Sequence, residues 1–452
     1  MLPQKHAYIE TFGCQMNERD SEIMAQLLAA DHYAATNDMQ AADLIVINTC
    51  SIRDKAEQKA YSLLGRLRIM KRANPALIIA VTGCVAQQNG AGLLKRMPFV
   101  DLIIGPQNIY RLPELLDQQT VRLSSSTRSR RCQIATTLSP AFRIPPFLPT
   151  ITKPSFKRFI TIMQGCNNFC TYCVVPYTRG REISRSAADI LKEINHLVDN
   201  GIKEVTLIGQ NVNSYGRDDS SSTGHSFPEL LRAVNAIKGL ERIRFTTSHP
   251  KDLSLDLIGC FAELKKLCTH FHLPVQSGSN RILKRMNRKY SITSYLDKVT
   301  MLRKINPEIT LTTDIIVGFP GETDADFEET MELIDTVRFD GGFSFKYSDR
   351  PSAVSAGFPD KVPEEIKDFR LNRLQTRQNE ITQEQNQQVV GSVLPVMIEG
   401  LSKTVAGQWH GRTSGNIIVN FISSNHLLPG QIVNIEIAEA GRNSLRGEHK
   451  LD

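Results

Sequence analysis

Three cysteines in the stretch Gly165-Cys166-Asn167-Asn168-Phe169-Cys170-Thr171-Tyr172-Cys173 stand in a C-x3-C-x2-C spacing, directly after a strand-like run, Arg158-Phe159-Ile160-Thr161-Ile162-Met163. Three thiolates on one short loop can bind three irons of a 4Fe-4S cube and leave the fourth without a protein ligand. That open iron is a place for chemistry. Structural zinc takes four N or S ligands, whereas this loop offers three and has no histidine close by. Ordinary ferredoxin spacings supply four cysteines per cluster. Zinc and unpaired core cysteines are the plain alternatives.

A chain of 452 residues is too long for one core, and two to four domains are expected. With 41% hydrophobic and 22% charged residues it has the composition of a soluble globular protein. No apolar run is long enough to span a bilayer, and Met1-Leu2-Pro3-Gln4-Lys5-His6 lacks the apolar core of a signal peptide, so the expectation is cytoplasmic and without membrane. Nine cysteines in a chain of this size do not make a disulfide scaffold. Six of them sit where metal binding suits better than bridging. The net charge of +7 suits a polyanionic partner, although charge alone does not specify nucleic acid.

The first region repeats one pattern three times: a buried-strand run, a small or polar step, a cysteine, then a helix. The runs are Ala7-Tyr8-Ile9-Glu10-Thr11-Phe12-Gly13-Cys14, Leu44-Ile45-Val46-Ile47-Asn48-Thr49-Cys50 and Leu77-Ile78-Ile79-Ala80-Val81-Thr82-Gly83-Cys84. Strands alternating with helices around Ser21-Ala30, Lys55-Ala73 and Gly90-Arg96 imply an open parallel α/β sheet. Ligands of such sheets collect beyond the carboxyl ends of the strands, where all three cysteines fall. A second cluster with three protein ligands is the sharper reading; three buried small hydrophobes is the other.

From Val121 to Lys153 periodicity disappears, and Leu123-Ser124-Ser125-Ser126-Thr127-Arg128-Ser129-Arg130-Arg131 and Ile144-Pro145-Pro146 read as a linker, with Cys132 incidental. The middle region alternates again. Candidate strands are Arg158-Met163, Glu204-Ile208, Arg242-Thr247, His270-Leu273, Thr310-Val317 and Gly342-Tyr347, a partial (β/α)6 barrel with its active face at the strand C-termini. Polar or glycine-bearing motifs follow those strands: Gly209-Gln210-Asn211-Val212-Asn213, Ser248-His249-Pro250, Pro274-Val275-Gln276-Ser277-Gly278-Ser279 and Gly318-Phe319-Pro320-Gly321-Glu322. Amides and glycines there can hold carboxylate or ribose oxygens. Gln210, Ser248, Gln276, Gly321 and Glu322 are the cofactor-binding candidates.

Arg281, Lys284, Arg285, Arg288 and Lys289 leave this rim, as a solvated helix face or as phosphate contacts for RNA. A polar helix, Glu364-Gln388, leads to short apolar alternations, Val393-Gly400, Gly415-Phe421 and Ile432-Ile437, that read as a small all-β barrel. In that barrel Lys403, Arg412, Arg442, Arg446 and Lys450 balance Glu399, Glu436, Glu439, Glu448 and Asp452. Any grip on RNA there rests on a local patch or on stacking by Trp409 beside His410, and a core role for Trp409 is as good a reading.

The cysteine loop resembles the signature of radical S-adenosylmethionine enzymes, in which the amine and carboxylate of the cofactor chelate the open iron and an aromatic residue at the position of Tyr172 lies beside the adenine. Thr11-Phe12-Gly13-Cys14-Gln15-Met16-Asn17, the run from Asn48 to Gln58, Thr82-Gly83-Cys84-Val85-Ala86-Gln87, the run from Cys166 to Arg181, and Ser444-Leu445-Arg446-Gly447-Glu448 together resemble the methylthiotransferases of that class. The likeness covers nearly the whole chain except the linker around Ser124-Lys153.

That resemblance implies a methylthiotransferase N-terminal domain over residues 4–120, a linker over 121–152, a radical S-adenosylmethionine core over 153–386 and a TRAM domain over 387–450. It implies an auxiliary 4Fe-4S cluster on Cys14, Cys50 and Cys84 and a reducing one on Cys166, Cys170 and Cys173. The implied substrate is isopentenyl-modified adenosine at position 37 of tRNA, with an external electron donor and a sulfur source that the sequence does not identify. By the same resemblance one S-adenosylmethionine methylates sulfur on the auxiliary cluster and a second is cleaved to a 5'-deoxyadenosyl radical. No residue is singled out as an acid or base. Rival readings are relatives acting on threonylcarbamoyl-adenosine or on an aspartate of a ribosomal protein, and an iron-sulfur or zinc RNA-binding module without catalysis.

Overall fold

The computed structural model describes residues 4–50, 54–124, 132–217, 224–402, 405–423 and 425–450. Ser51-Ile52-Arg53 of the second cysteine motif, the linker arginines Arg128, Arg130 and Arg131, and Lys403 lie outside the described residues. The chain forms two compact units, the first made of Met1–Pro154, Phe159–Asn167 and Val174–Arg185, the second of Ser155–Arg158, Asn168–Cys173 and Ser186–Asp452.

The first unit runs β1 (Lys5–Phe12), α1 (Gln15–Ala30), β2 (Tyr33–Ala35), β3 (Leu44–Thr49), α2 (Asp54–Ala73), β4 (Ile78–Gly83), α3 (Cys84–Arg96), β5 (Leu102–Ile104), α4 (Leu112–Ser124) and β6 (Gln133–Ala135). The strands form one parallel sheet in the order β2-β1-β3-β4-β5-β6. Every residue of β3 and β4 is buried, as their near-continuous aliphatic runs require of strands covered on both faces. The pleat divides them: Leu44, Val46 and Ala80 enter one core, Ile45, Ile47, Ile79 and Val81 the other.

The stretch expected as a linker contributes the sixth strand of this sheet. Gln133 N–H donates to the Asp101 carbonyl at 2.9 Å, and its side chain reaches the Leu115 carbonyl at 3.1 Å. Cys132, expected to be incidental, is half-buried against the second core. A three-residue strand is too short for periodicity to betray it.

β7 (Lys157–Thr161) precedes a two-residue antiparallel pair, β8 (Met163–Gln164) with β9 (Ile183–Ser184), and one turn of helix, α5 (Val175–Thr178), lies between them in sequence. The second unit continues with α6 (Ala187–Asp199), β10 (Glu204–Ile208), α7 (Phe227–Asn235), β11 (Arg242–Phe245), α8 (Leu255–Glu263), β12 (His270–His272), α9 (Asn280–Arg285), α10 (Ile292–Ile305), β13 (Thr310–Val317), α11 (Asp324–Val337) and β14 (Gly341–Lys346). All six strands expected of the partial barrel form, in two runs of three, β7-β10-β11 and β12-β13-β14. Helices such as α7, with Phe227, Leu230, Leu231 and Val234 buried and a Ser226–Glu229 capping box, pack an apolar stripe onto the strands.

α12 (Glu364–Gln388) leads to β15 (Val393–Leu401), β16 (Gln408–Thr413), β17 (Ile418–Ile422), β18 (Ile432–Ala440) and β19 (Leu445–His449), a closed barrel in the order β15-β16-β17-β19-β18. Val396, Ile398, Val419, Phe421, Ile435, Ile437 and Leu445 fill it. Two buried cations of β11 tie it to the unit. Arg242 donates to the Arg412 carbonyl at 2.7 Å and the Pro395 carbonyl at 3.0 Å, and Arg244 to the Thr413 carbonyl at 2.8 Å and the Ser414 carbonyl at 3.0 Å.

Candidate metal centres and cofactor site

Strand register sets the first site. Phe12 pairs with Thr49 and Thr49 with Gly83, so β1, β3 and β4 end level and each delivers a cysteine just beyond its last residue. A Cβ placed on Gly13 would stand 2.6 Å from the Cys50 Cβ, a measure of how closely the first two loops approach. Gly83 has φ +93°, and a Cβ there would meet the Thr49 carbonyl oxygen at 2.3 Å, so the turn into Cys84 needs glycine.

Amides lock the loops together. Asn17 donates to Asn48 Oδ1 at 2.8 Å and the Thr49 carbonyl at 3.1 Å, and Asn48 donates back to the Asn17 carbonyl at 2.8 Å and to Ser21 Oγ at 2.9 Å. Cys14 Sγ donates to Asn17 Oδ1 at 3.2 Å.

The electrostatics divide the trio. A hydrogen bond with the neighbouring Cys50 thiol pulls Cys14 down to about 6, with Arg179 assisting against burial. Burial pushes the Cys84 thiol up, opposed by Arg179. Arg179 is itself buried, with Nη2 2.6 Å from Asp20 Oδ2, and Gln107 fixes its backbone by donating to the Arg179 carbonyl at 3.3 Å.

Cys166 belongs to this first unit, where its N–H donates to the Gly180 carbonyl at 3.2 Å. Cys170 and Cys173 belong to the second. There the Cys173 N–H closes a turn on the Cys170 carbonyl at 2.9 Å, and the Thr171 N–H donates to the Met286 carbonyl at 3.1 Å. Asn287 holds the carbonyls of Asn168 and Phe169 at 3.2 and 3.0 Å. Among the described residues no three Cys, His, Asp or Glu donors close around a single metal ion. Three cysteines stand at level strand ends, one donor fewer than structural zinc takes.

Beyond β10 and β11 lies a polar set. Asn213 donates to the His249 carbonyl at 2.9 Å and accepts its N–H at 3.0 Å. His249 Nδ1 accepts from the Lys251 N–H at 3.2 Å, which leaves the proton of the neutral ring on Nε2. Burial, then Arg288, pulls the ring far below its ordinary value. His249 Nε2, Ser248 Oγ and Asn211 Oδ1 are buried without hydrogen-bond partners. Three orphaned polar atoms in consecutive rim loops are what a bound polar cofactor would satisfy.

The remaining sequence candidates fall as follows. Tyr172 packs against Ile282, Met286, Phe319 and Tyr347. Gln210 lies two residues beyond the end of β10. Gln276 is buried with φ 73°, its N–H on the Asp314 carbonyl at 2.8 Å. Gly321 lies under the Arg285 guanidinium. Glu322 turns from the rim to Arg370 at 2.8 Å and the Gly318 N–H at 2.6 Å, and burial raises it to about 7.

Of the RNA candidates, Lys284 is exposed, Arg281 is engaged by Asp326 and the Gly321 carbonyl, and Arg285 lies 5.4 Å over the Phe358 ring. Arg288 is turned inward instead of towards RNA: it is buried, with Nη1 3.5 Å from Cys170 Sγ and Nη2 on the Pro274 carbonyl at 2.7 Å. Trp409 is half-buried against the barrel core. Sequence reading missed Arg179, Asp20 and the roles of His249, Asn17 and Asn48. The asparagines carried a signal, each at a short fixed offset from a cysteine.

Three family models match: "Uncharacterized protein family UPF0004" over residues 6–105, the radical SAM superfamily over 160–334 and the TRAM domain over 387–450. The radical S-adenosylmethionine methyltransferase TsrM from Kitasatospora setae shares the fold, with TM-score 0.57 at 12% identity over 88% of this chain and 79% of that one. The radical enzyme OxsB gives 0.52 at 13% identity over 83% and 56%. Fold and cysteine loop together define a radical S-adenosylmethionine enzyme, a class that uses that cofactor and a 4Fe-4S cluster.

Among curated relatives, the tRNA-2-methylthio-N(6)-dimethylallyladenosine synthase of Desulfotalea psychrophila is 52% identical over 99% of both chains. Its namesake in Geobacter metallireducens is 49% identical, again over 99% of both. The chain belongs to the MiaB-type methylthiotransferase family.

Proposed function

We propose that this protein is a tRNA-2-methylthio-N6-isopentenyladenosine synthase, inserting a methylthio group at C2 of N6-isopentenyladenosine-37. The observation that carries the reading is the 52% identity over 99% of both chains to a synthase of that name. Cys166, Cys170 and Cys173 hold the cluster that binds S-adenosylmethionine, and Cys14, Cys50 and Cys84 a second one. When bound, these groups supply one-electron chemistry for a C–H bond without useful acidity, along with methyl and sulfur.

The chain's own residues position and enclose. The Asn17–Asn48 pair holds two cysteine loops in register. Ser248 Oγ and the Nε2–H of His249 offer hydrogen bonds to the cofactor's polar atoms, and the apolar cluster around Tyr172 excludes water beside them. Residues 4–120, 153–386 and 387–450 act as methylthiotransferase, radical and RNA-holding domains, with 121–152 between them. Lys284 is the solvent-facing contact for RNA phosphate. An external electron donor, a sulfur source and a cytoplasmic setting complete the reading.

The test is anaerobic reconstitution, then turnover with S-adenosylmethionine and dithionite on an isopentenylated anticodon-loop RNA, read by nucleoside mass spectrometry. The expected result is 2-methylthio-isopentenyladenosine together with 5'-deoxyadenosine. Product on a threonylcarbamoyl-adenosine RNA instead would overturn the assignment, and iron without cofactor cleavage would leave a binding module.

A further inference from the structure

Arg179 and Asp20 lie 159 residues apart in sequence and meet as a buried ion pair within the first unit. The side chains are only 3% and 7% exposed. A buried pair of this kind is a weak stabiliser by itself, because desolvation offsets the attraction. One half of the guanidinium is also left over. Nη2 is taken by Asp20, while Nη1 is buried with no hydrogen-bond partner. The same guanidinium acts electrostatically on the Cys14 and Cys84 thiols. Backbone contacts deny it a choice of place: the Arg179 N–H donates to the Val175 carbonyl at 2.8 Å, and Gln107 and Gln164 both donate to its carbonyl, at 3.3 and 3.5 Å.

A cluster on three thiolates is anionic, and its potential follows net charge, burial and hydrogen bonds to sulfur. We infer that Arg179 is a positioning residue for the Cys14–Cys50–Cys84 cluster, its unpartnered Nη1 facing the cluster's anionic sulfur and raising the reduction potential, with Asp20 as the counter-charge that limits the rise. The inference rests on the two-cluster reading above. A purely structural ion pair treats its two ends alike, since breaking it from either side strands a buried charge. An electrostatic device treats them oppositely: losing the cation makes the cluster harder to reduce, and losing the anion makes it easier.

The experiment uses the full chain carrying Cys166→Ala, Cys170→Ala and Cys173→Ala, reconstituted so that about four irons per chain load the remaining trio, and titrated against potential by electron paramagnetic resonance. Arg179→Gln is expected to lower the reduced-to-oxidised ratio at fixed potential at least about tenfold, ~59 mV for a one-electron couple. Asp20→Asn is expected to shift the ratio the other way, and Arg179→Lys to stay nearer the parent. Potentials that do not move, or that move in the same direction for Arg179→Gln and Asp20→Asn, overturn the inference. Should Arg179→Gln load too little iron to titrate, Asp20→Asn decides, and no upward shift there is fatal. An iron-free parent would overturn the two-cluster reading and the inference with it, whereas a loaded parent with unmoved variants overturns the inference alone.

Discussion

At the scale of single residues, the cysteines divide into two trios with separable consequences. Cys14→Ala removes one thiolate from a site held together by Asn17 and Asn48 and leaves the C-x3-C-x2-C loop intact. Iron content is expected to fall from about eight to about four per chain, with 5'-deoxyadenosine still formed and no methylthio product. Iron counting and nucleoside mass spectrometry check it. His249 presents a buried Nε2–H with no protein acceptor. Losing a hydrogen bond of this kind in a desolvated site costs about 1–2 kcal/mol, so His249→Ala is expected to weaken S-adenosylmethionine binding about tenfold, measured by equilibrium dialysis on the reconstituted enzyme. The strand-end placement of Cys14, Cys50 and Cys84 was legible because each closely follows an aliphatic run. Arg179 and Asp20 were not, since nothing at either position points to a partner 159 residues away. Arg288 misled for the related reason that a basic run in sequence does not say which of its members turns inward.

At the scale of elements, the end of β4 is a tightly constrained turn. Gly83→Ala forces a side chain into left-handed backbone against the Thr49 carbonyl, and a loss of about 1–3 kcal/mol is expected, read by chemical denaturation. A titrating group sits just before β14. Asp340 caps the Leu311 N–H at 2.7 Å, and burial pushes its carboxyl up from 3.8 to about 6, with Arg303 pulling the other way. The folded chain therefore holds that proton more tightly than the unfolded one. Its contribution to stability is fully present below the ordinary carboxyl range and is lost as pH rises through the raised value. Melting temperature is expected to decline over that interval, and Asp340→Asn is expected to flatten the decline. Of the first sheet, β1, β3 and β4 were legible because buried parallel strands are nearly continuous aliphatic runs, whereas β2, β5 and β6 are three residues each and too short to show a pattern. The six strands of the partial barrel were legible from their alternation with helices. β16 and β19 were not: Gln408-Trp409-His410-Gly411-Arg412-Thr413 and Leu445-Arg446-Gly447-Glu448-His449 pack by closing a barrel, and show no alternation that a reader of sequence could follow.

At the scale of the molecule, the net charge of +7 suits a tRNA partner, and burial hardly reduces it, because the buried Arg179, Arg244 and Arg370 are paired with the buried Asp20, Glu204 and Glu322. Arg244 pairs with Glu204 at 3.0 Å while donating to two carbonyls of the C-terminal barrel. Arg244→Ala leaves Glu204 uncompensated, and a loss of about 3 kcal/mol is expected, read as a lowered denaturation midpoint and faster proteolysis between Val389 and Ser392.

The same pair of arginines bears on how the C-terminal barrel should be studied. Cutting the chain after α12 would strip Arg242 and Arg244 of four carbonyl acceptors at once. A shortened enzyme that failed to modify RNA would then report a damaged catalytic half as readily as a lost RNA grip. Point changes on the barrel's outer surface separate those two causes, and deletion does not.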